Sequence, residues 1–331
     1  MYICIMTTGQ RILIAPLDWG LGHAARCIPL ITRELESGND VTIACSDKTN
    51  TYLSSRFPEL EIIRLPGYGI SYHTNLPVWF SVLLQSPRIF KKIKEEHRWL
   101  DDLLKEKHFD TVISDNRYGL YNKSVRSIII THQLRLRMPK HLEIASNLLN
   151  RQIRNLVSRF DECHVPDEAD ENSLSGELSH GPDLPANTRY IGLLSRFEKS
   201  KPPLEVASTA TFKTVILLSG PEPKRSILEH RLVAEQKSNG EQTLVIRGVP
   251  GQQSRHREGN ITFWNDAYDS ELAYQLKSAK RIICRPGYST LMDLMTLGVQ
   301  AELIPTPGQT EQEYLAKRMS EKKGWTVRLE N

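Results

Sequence analysis

Short apolar runs alternate with amphipathic stretches along nearly the whole chain, and that alternation leaves few folds open. In the first half the runs are RILIA (11–15), VTIAC (41–45), EIIRL (61–65), TVIS (111–114), SIIIT (127–131) and RYIGLL (189–194). Each is too short for a helix and mostly apolar, as expected of strands buried on both faces of a parallel sheet. Helical patterns at 23–37, 87–107 and 138–159 separate them. A second series follows: TVILLSG (214–220), TLVIRG (243–248), ITFW (261–264), RIIC (281–284) and AELIP (301–305). Strand–helix alternation predicts a doubly wound α/β sheet. Two such series predict two domains, 1–195 and 213–331. Between them RFEKSKPPLEVASTATF, with two prolines and mixed charge, reads as a linker over 196–212. The polar segment 165–185 reads as a surface excursion.

The 331 residues suffice for two such domains. Net charge is only +4, too mild to argue for nucleic acid, and no nucleic-acid-binding motif is present. No apolar run approaches the ~20 residues of a membrane span. MYICIMTTGQ lacks the basic and apolar regions of a signal peptide, so a cytoplasmic protein is expected. Cys4, Cys27, Cys45, Cys163 and Cys284 are scattered without metal or redox spacing, and are expected to be buried thiols.

Ligands of open α/β sheets bind at the C-terminal ends of the strands. After the first strand comes LDWGLGHAAR, where Gly20 and Gly22 permit a tight turn into a helix beginning near His23. The partial positive charge of a helix N-terminus favours neutral imidazole, the form a general base needs. The same histidine could simply cap or pack a tight turn. Asp115 and Asn116 follow the fourth strand, and His132 and Gln133 the fifth, so all four are candidates for the acceptor side of a site or plain loop polarity. In the second half Ser219 and Gly220 precede a helix opening with Lys224 and Arg225, where a diphosphate's charge would collect. Glu222 leaves a capped surface helix as the other reading. Trp264 ends a strand, facing either a nucleobase or the core.

The densest stretch is IICRPGYSTLMDLMTLGVQAELIPTPGQTEQEYLAKRM (282–319). Arg285 and Gly287 lead into a helix carrying Ser289, Thr290 and Asp293, and a second loop leads into one carrying Gln309, Gln312 and Glu313. A glycine turn at a helix N-terminus presents free N–H groups to an anion, which suggests a nucleotide diphosphate.

Taken together, GLGH, the SG loop, RPGYSTLMD and PTPGQTEQEY resemble the GT-B glycosyltransferases, and most closely family 28, which includes the MurG-type N-acetylglucosaminyltransferases. The resemblance runs from about Arg11 to Arg328. It implies two Rossmann-like domains facing across a cleft and a nucleotide-sugar donor, UDP-linked and possibly UDP-N-acetylglucosamine, held mainly by the second. It places His23 as the base, His132 and Gln133 on the acceptor side, Asp293 on the ribose, and Gln312 and Glu313 on the donor sugar. The family usually has Glu at the first of these last three positions and Gln at the third. GT-B chains ordinarily continue into a C-terminal helix returning to the first domain, whereas this sequence ends at Asn331.

The expected reaction is an inverting, metal-independent hexosyl transfer to a glycan or lipid-linked acceptor of the cell envelope, without cofactor. A nucleotide-sugar 2-epimerase and a non-catalytic nucleotide-sugar-binding protein are the alternatives. Residues 76–98 put an aromatic run beside five basic side chains, suggesting peripheral contact with the inner face of the membrane, or a core-facing helix with a solvated basic back.

Overall fold

The computed structural model describes residues 9–69, 84–136, 143–198, 211–220, 222–249, 252 and 254–330. The first unit contains β1 (Arg11–Pro16), α1 (Leu21–Glu36), β2 (Asp40–Cys45), α2 (Asp47–Ser54) and β3 (Ile62–Arg64). It continues with α3 (Ser86–Glu106), β4 (Thr111–Asp115), β5 (Arg126–Ile130), α4 (Glu143–Val157), β6 (Glu162–Val165) and β7 (Thr188–Tyr190). Its seven strands lie in the order β3-β2-β1-β4-β5-β6-β7, all parallel. The order reverses beside β1, which makes the gap between β1 and β4 the switch point where such sheets bind ligands.

The second unit comprises β8 (Thr214–Leu217), α5 (Lys224–Asn239), β9 (Thr243–Ile246), β10 (Arg255–Glu258), β11 (Ile261–Trp264) and α6 (Asp269–Ser278). It ends with β12 (Arg281–Cys284), α7 (Tyr288–Leu297), β13 (Glu302–Leu303), α8 (Thr310–Ser320) and β14 (Thr326–Val327). Its order is β10-β11-β9-β8-β12-β13-β14. Here the switch point lies between β8 and β12. The chain therefore has two parallel-sheet α/β domains. Two strands escape the sequence reading. ECHV (β6) alternates instead of running apolar, and RHRE (β10) is an exposed antiparallel edge on β11 with no apolar residue.

Burial follows from the pattern. α1 turns Ala24, Ala25, Cys27, Ile28, Leu30 and Ile31 inward, and its apolar face also packs on α7. One apolar cluster consequently runs from Ile12 and Ile43 in the first sheet through Ala24 and Ile28 to Leu291, Met292 and Leu315 in the second unit. At roughly 25 cal/mol per Å² of apolar surface removed from water, such a shared layer favours the two units staying together. Cys27, Cys45, Cys163 and Cys284 are free, buried thiols.

The 165–185 excursion does more than cover surface. Asp167, fully buried, accepts bonds from the backbone N–H groups of Glu168, Leu174 and Ser175 at 2.7–2.8 Å and so shapes the loop. That loop docks on α8. Arg318 donates to the Ser173 carbonyl at 2.7 Å, and the Tyr314 hydroxyl accepts from Glu177 N–H at 2.8 Å. A Cβ at Gly176 (φ 49°) would lie 2.3 Å from that hydroxyl, so only glycine permits the approach. Most of the proposed linker, 199–210, lies outside the described residues, as do 76–83 of the aromatic-basic stretch. Among the described residues no helix is long and apolar enough to cross a membrane.

Candidate active site

Strand register brings the first domain's candidate residues to one place. Pro16 on β1 pairs with Asp115 on β4, and Asp115 pairs with Ile130 on β5. The turn after β1, the end of β4 and the residues after β5 therefore share one rim. Gly20 caps α1 without a side-chain bond, and the first turn of α1 has no acidic residue, so its N–H groups keep their positive end toward the rim. His23 sits in that turn. Its Nδ1 lies 3.0 Å from Asp115 Oδ2, and the side chain keeps 19% of its surface exposed while Asp115 keeps 1%. Burial lowers the His23 pKa from its ordinary value; Asp115 opposes this and Arg26 reinforces it. Burial works against the Asp115 charge, yet Arg26 and His23 hold that carboxyl down at about 2. The result is a neutral imidazole, oriented by a carboxylate that stays ionised, with one edge open to the cleft. That is what proton abstraction from a hydroxyl requires.

Arg26, one turn along α1, binds both oxygens of Asp115 through Nε at 3.0 and 2.9 Å and Oδ1 also through Nη2. Its Nη1 reaches His132 Nδ1 at 3.1 Å. An arginine can only donate, so the His132 proton is on Nε2, 2.9 Å from Glu311 Oε1. His132 also stacks on Tyr288, with centroids 3.8 Å apart and planes at 11°. Asn116 adopts φ 55° and donates its N–H to the Ile130 carbonyl, while its Oδ1 is enclosed with no hydrogen-bond partner. Gln133 is half-buried on the same rim, its N–H bonded to Thr131 Oγ1.

The second domain faces this group with backbone. Leu217 on β8 is in register with Cys284 on β12, so the Ser219–Gly220 and Pro286–Gly287 loops are neighbours. Gly220 has φ 102°, open to glycine alone. Gly287 caps α7 without a side-chain bond, and α7 too has no acidic residue in its first turn. Ser289 donates to the Gly22 carbonyl at 2.9 Å, and a Cβ on Gly22 would lie 3.0 Å from Ser289 Oγ. Two bare helix N-termini, those of α1 and α7, thus meet beside His23. Thr290 and Lys224 are half-buried in the first turns of α7 and α5.

Several second-domain side chains are committed elsewhere. Trp264 is 6% exposed and packs edge-on against Phe212, under Arg255, and so belongs to the core rather than to a base-binding face. Arg285 is 2% exposed and turned to the Ile304 carbonyl and Glu330, away from any diphosphate. Arg225 is held by Glu222 and the Arg247 carbonyl. Asp293 accepts Ser195 Oγ at 2.7 Å and Arg196 Nε at 3.0 Å, and burial pushes its pKa up. It ties the crossover segment to α7 instead of offering oxygens to a ribose. Gln312 and Glu313 accept the N–H groups of Thr306 and Gly308, each at 2.8 Å, and so shape the loop that Gln309 closes as cap of α8. The polar group α8 presents to His132 is Glu311.

The sequence reading missed Arg26, Tyr288, Glu311 and Arg196. Arg26 was detectable, since i and i+3 share a helix face. Tyr288 stands inside the quoted motif but reads as core. For Glu311 and Arg196 only the packing of the two domains reveals a partner.

Comparison with known proteins agrees with the fold. Residues 226–331 match the glycosyltransferase family 28 C-terminal domain. An uncharacterized glycosyltransferase of Methanosarcina mazei is 20% identical over 322 residues, covering 92% of this chain and 82% of that protein. The fold is similar to that of Acinetobacter baumannii MurG (TM-score 0.52, 14% identity, 97% of this chain and 86% of that one). It is also similar to Arabidopsis thaliana UGT89C1 complexed with UDP-L-rhamnose (TM-score 0.63, 14% identity, 98% and 86%). The glycotransferase of kitacinnamycin matches with TM-score 0.64 at 14% identity, over 98% and 86%.

Proposed function

We propose that this chain, a GT-B glycosyltransferase with a family 28 type C-terminal domain, moves a hexosyl group from a UDP-linked donor to an acceptor hydroxyl with inversion. The observation that carries this reading is the His23–Asp115 pair set against the uncapped N-terminus of α7. In one displacement the acceptor oxygen bonds to the anomeric carbon as its proton passes to His23 Nε2. The bond from that carbon to the diphosphate oxygen breaks, and its electron pair leaves with the nucleotide. Asp115 stabilises the imidazolium as it forms. The N–H groups at Gly220 and at Gly287–Thr290, with Lys224, take the charge developing on the diphosphate, so no metal is called for.

The acceptor we propose is presented at a membrane surface. Leu84, just before α3, and Phe90 in its N-terminal half are exposed at 59% and 36%, and Arg88, Lys91, Lys94 and Arg98 are exposed along the same helix. Apolar and cationic side chains together suit anionic headgroups.

Incubation of the protein with UDP-sugars and a panel of soluble and lipid-linked acceptors, with and without EDTA, tests the reading. An inverted glycoside formed at the same rate with chelator supports it. Epimerised sugar without acceptor, or nucleotide binding without turnover, replaces it with one of the alternatives.

A further inference from the structure

His23 Nδ1 has two neighbours that demand opposite tautomers. Asp115 Oδ2 at 3.0 Å can only accept, which requires Nδ1–H and leaves the Nε2 lone pair for the acceptor's proton. Arg26 Nη2 at 2.9 Å can only donate, which requires a bare Nδ1 and puts the proton on Nε2, where it blocks base action. The guanidinium therefore competes with the carboxylate for the same nitrogen. What decides the competition is where Arg26 is drawn, and its Nη1 is bonded to His132, whose far nitrogen donates to Glu311.

We propose that Arg26 is a positioning residue through which the second domain switches His23 between a base-competent and a blocked tautomer. The inference rests on the transferase reading for its purpose and on the hydrogen bonds alone for its existence. With α8 docked, as here, Arg26 Nη2 and Asp115 both lie against His23 Nδ1, and the Glu311 carboxylate, by polarising His132 and making its Nδ1 a stronger acceptor, biases the guanidinium toward His132 and the Nδ1–H of His23 toward Asp115. With α8 withdrawn, His132 loses that partner and Arg26 turns to His23 Nδ1. Base action is thereby confined to the closed arrangement, the one in which Ser289 also meets Gly22.

The ionisable groups around this centre are Arg26 and Cys27 on α1, Asp115 at the end of β4, and Tyr118 beyond it. His132 after β5, Tyr288 on α7 and Glu311 on α8 complete the set. Charge works in the same direction as the tautomers. Arg26 lowers the His23 pKa, whereas the Glu311 carboxylate, which His23 itself helps to hold ionised, favours the protonated imidazole.

Histidine-selective ¹⁵N NMR, with His23→Asn to assign the signal, reads tautomer and pKa without any turnover. Wild type is expected as the Nδ1–H tautomer. Glu311→Ala, a change at a partly exposed site, is expected to shift His23 toward the Nε2–H tautomer and lower its pKa. Arg26→Gln is expected to keep Nδ1–H and raise the pKa, each shift being about one unit. Should Arg26→Gln fail to fold, Arg26→Lys, which keeps the charge but cannot span three partners, is expected to fix the Nδ1–H tautomer in its place. A His23 signal identical in wild type and Glu311→Ala overturns the proposal, whatever the enzyme's activity. A responsive His23 in a protein that transfers no sugar overturns the functional reading and leaves the switch standing.

Discussion

The two rims that face each other across the cleft carry similar numbers of polar candidates in the sequence, and they use them differently. On the first rim His23, Arg26, Asp115 and His132 bond to one another, and His23 keeps an exposed face above the other three, which are buried. On the second, Arg285, Asp293, Gln312 and Glu313 are spent on their own domain's loops or on the crossover, and what remains toward the cleft is backbone N–H. A polar residue in a motif marks a place where geometry matters. It does not say whether the side chain touches the ligand or builds the loop that does.

Substitutions on the two rims should therefore separate cleanly. The largest effect is expected for His23→Ala, a loss of ~10²–10⁴ in kcat with UDP affinity nearly unchanged; equal losses in affinity and turnover would break the contrast. In the wild type the acid limb of kcat should fall below pH 6.5, because the lowered His23 pKa keeps the base neutral down to that lower value. An acid limb above pH 6.5 would mean that the Asp115 charge outweighs burial.

On the other rim Asp293→Ala takes from Arg196 its most buried partner while Asp269 and the Tyr52 hydroxyl remain, and should cost about 2 kcal/mol of stability in thermal or denaturant unfolding. A variant of unchanged stability that no longer binds nucleotide would return Asp293 to a ribose-binding role. Gln312→Ala removes one bond to the Thr306 N–H and should cost about 1 kcal/mol, with a modest rise in donor KM as the loop loosens.

The strand–helix alternation, two α/β domains and the rim positions of His23, Asp115 and His132 were legible, because strand period and the turn after each strand are local properties. The short α1–α7 approach was half legible, in Gly22 and Gly287. The fates of Asp293 and Trp264 were not. Both depend on what packs against them from other elements, Ser195 and Arg196 in one case and Phe212 and Arg255 in the other. Nor could the 165–185 segment be read correctly: its serines and acidic residues look solvated, yet Asp167 turns them into a folded loop around its own carboxylate.

That loop has a mechanical consequence. Since 171–177 grips α8 through Arg318 and Tyr314, the two halves are fastened at a point well away from the covalent crossover. With α7 also seated on α1 and Glu311 on His132, opening the cleft requires this fastening to let go as well. Slow amide exchange at Glu177 that quickens on product release would identify the loop's detachment as the step that lets the nucleotide out.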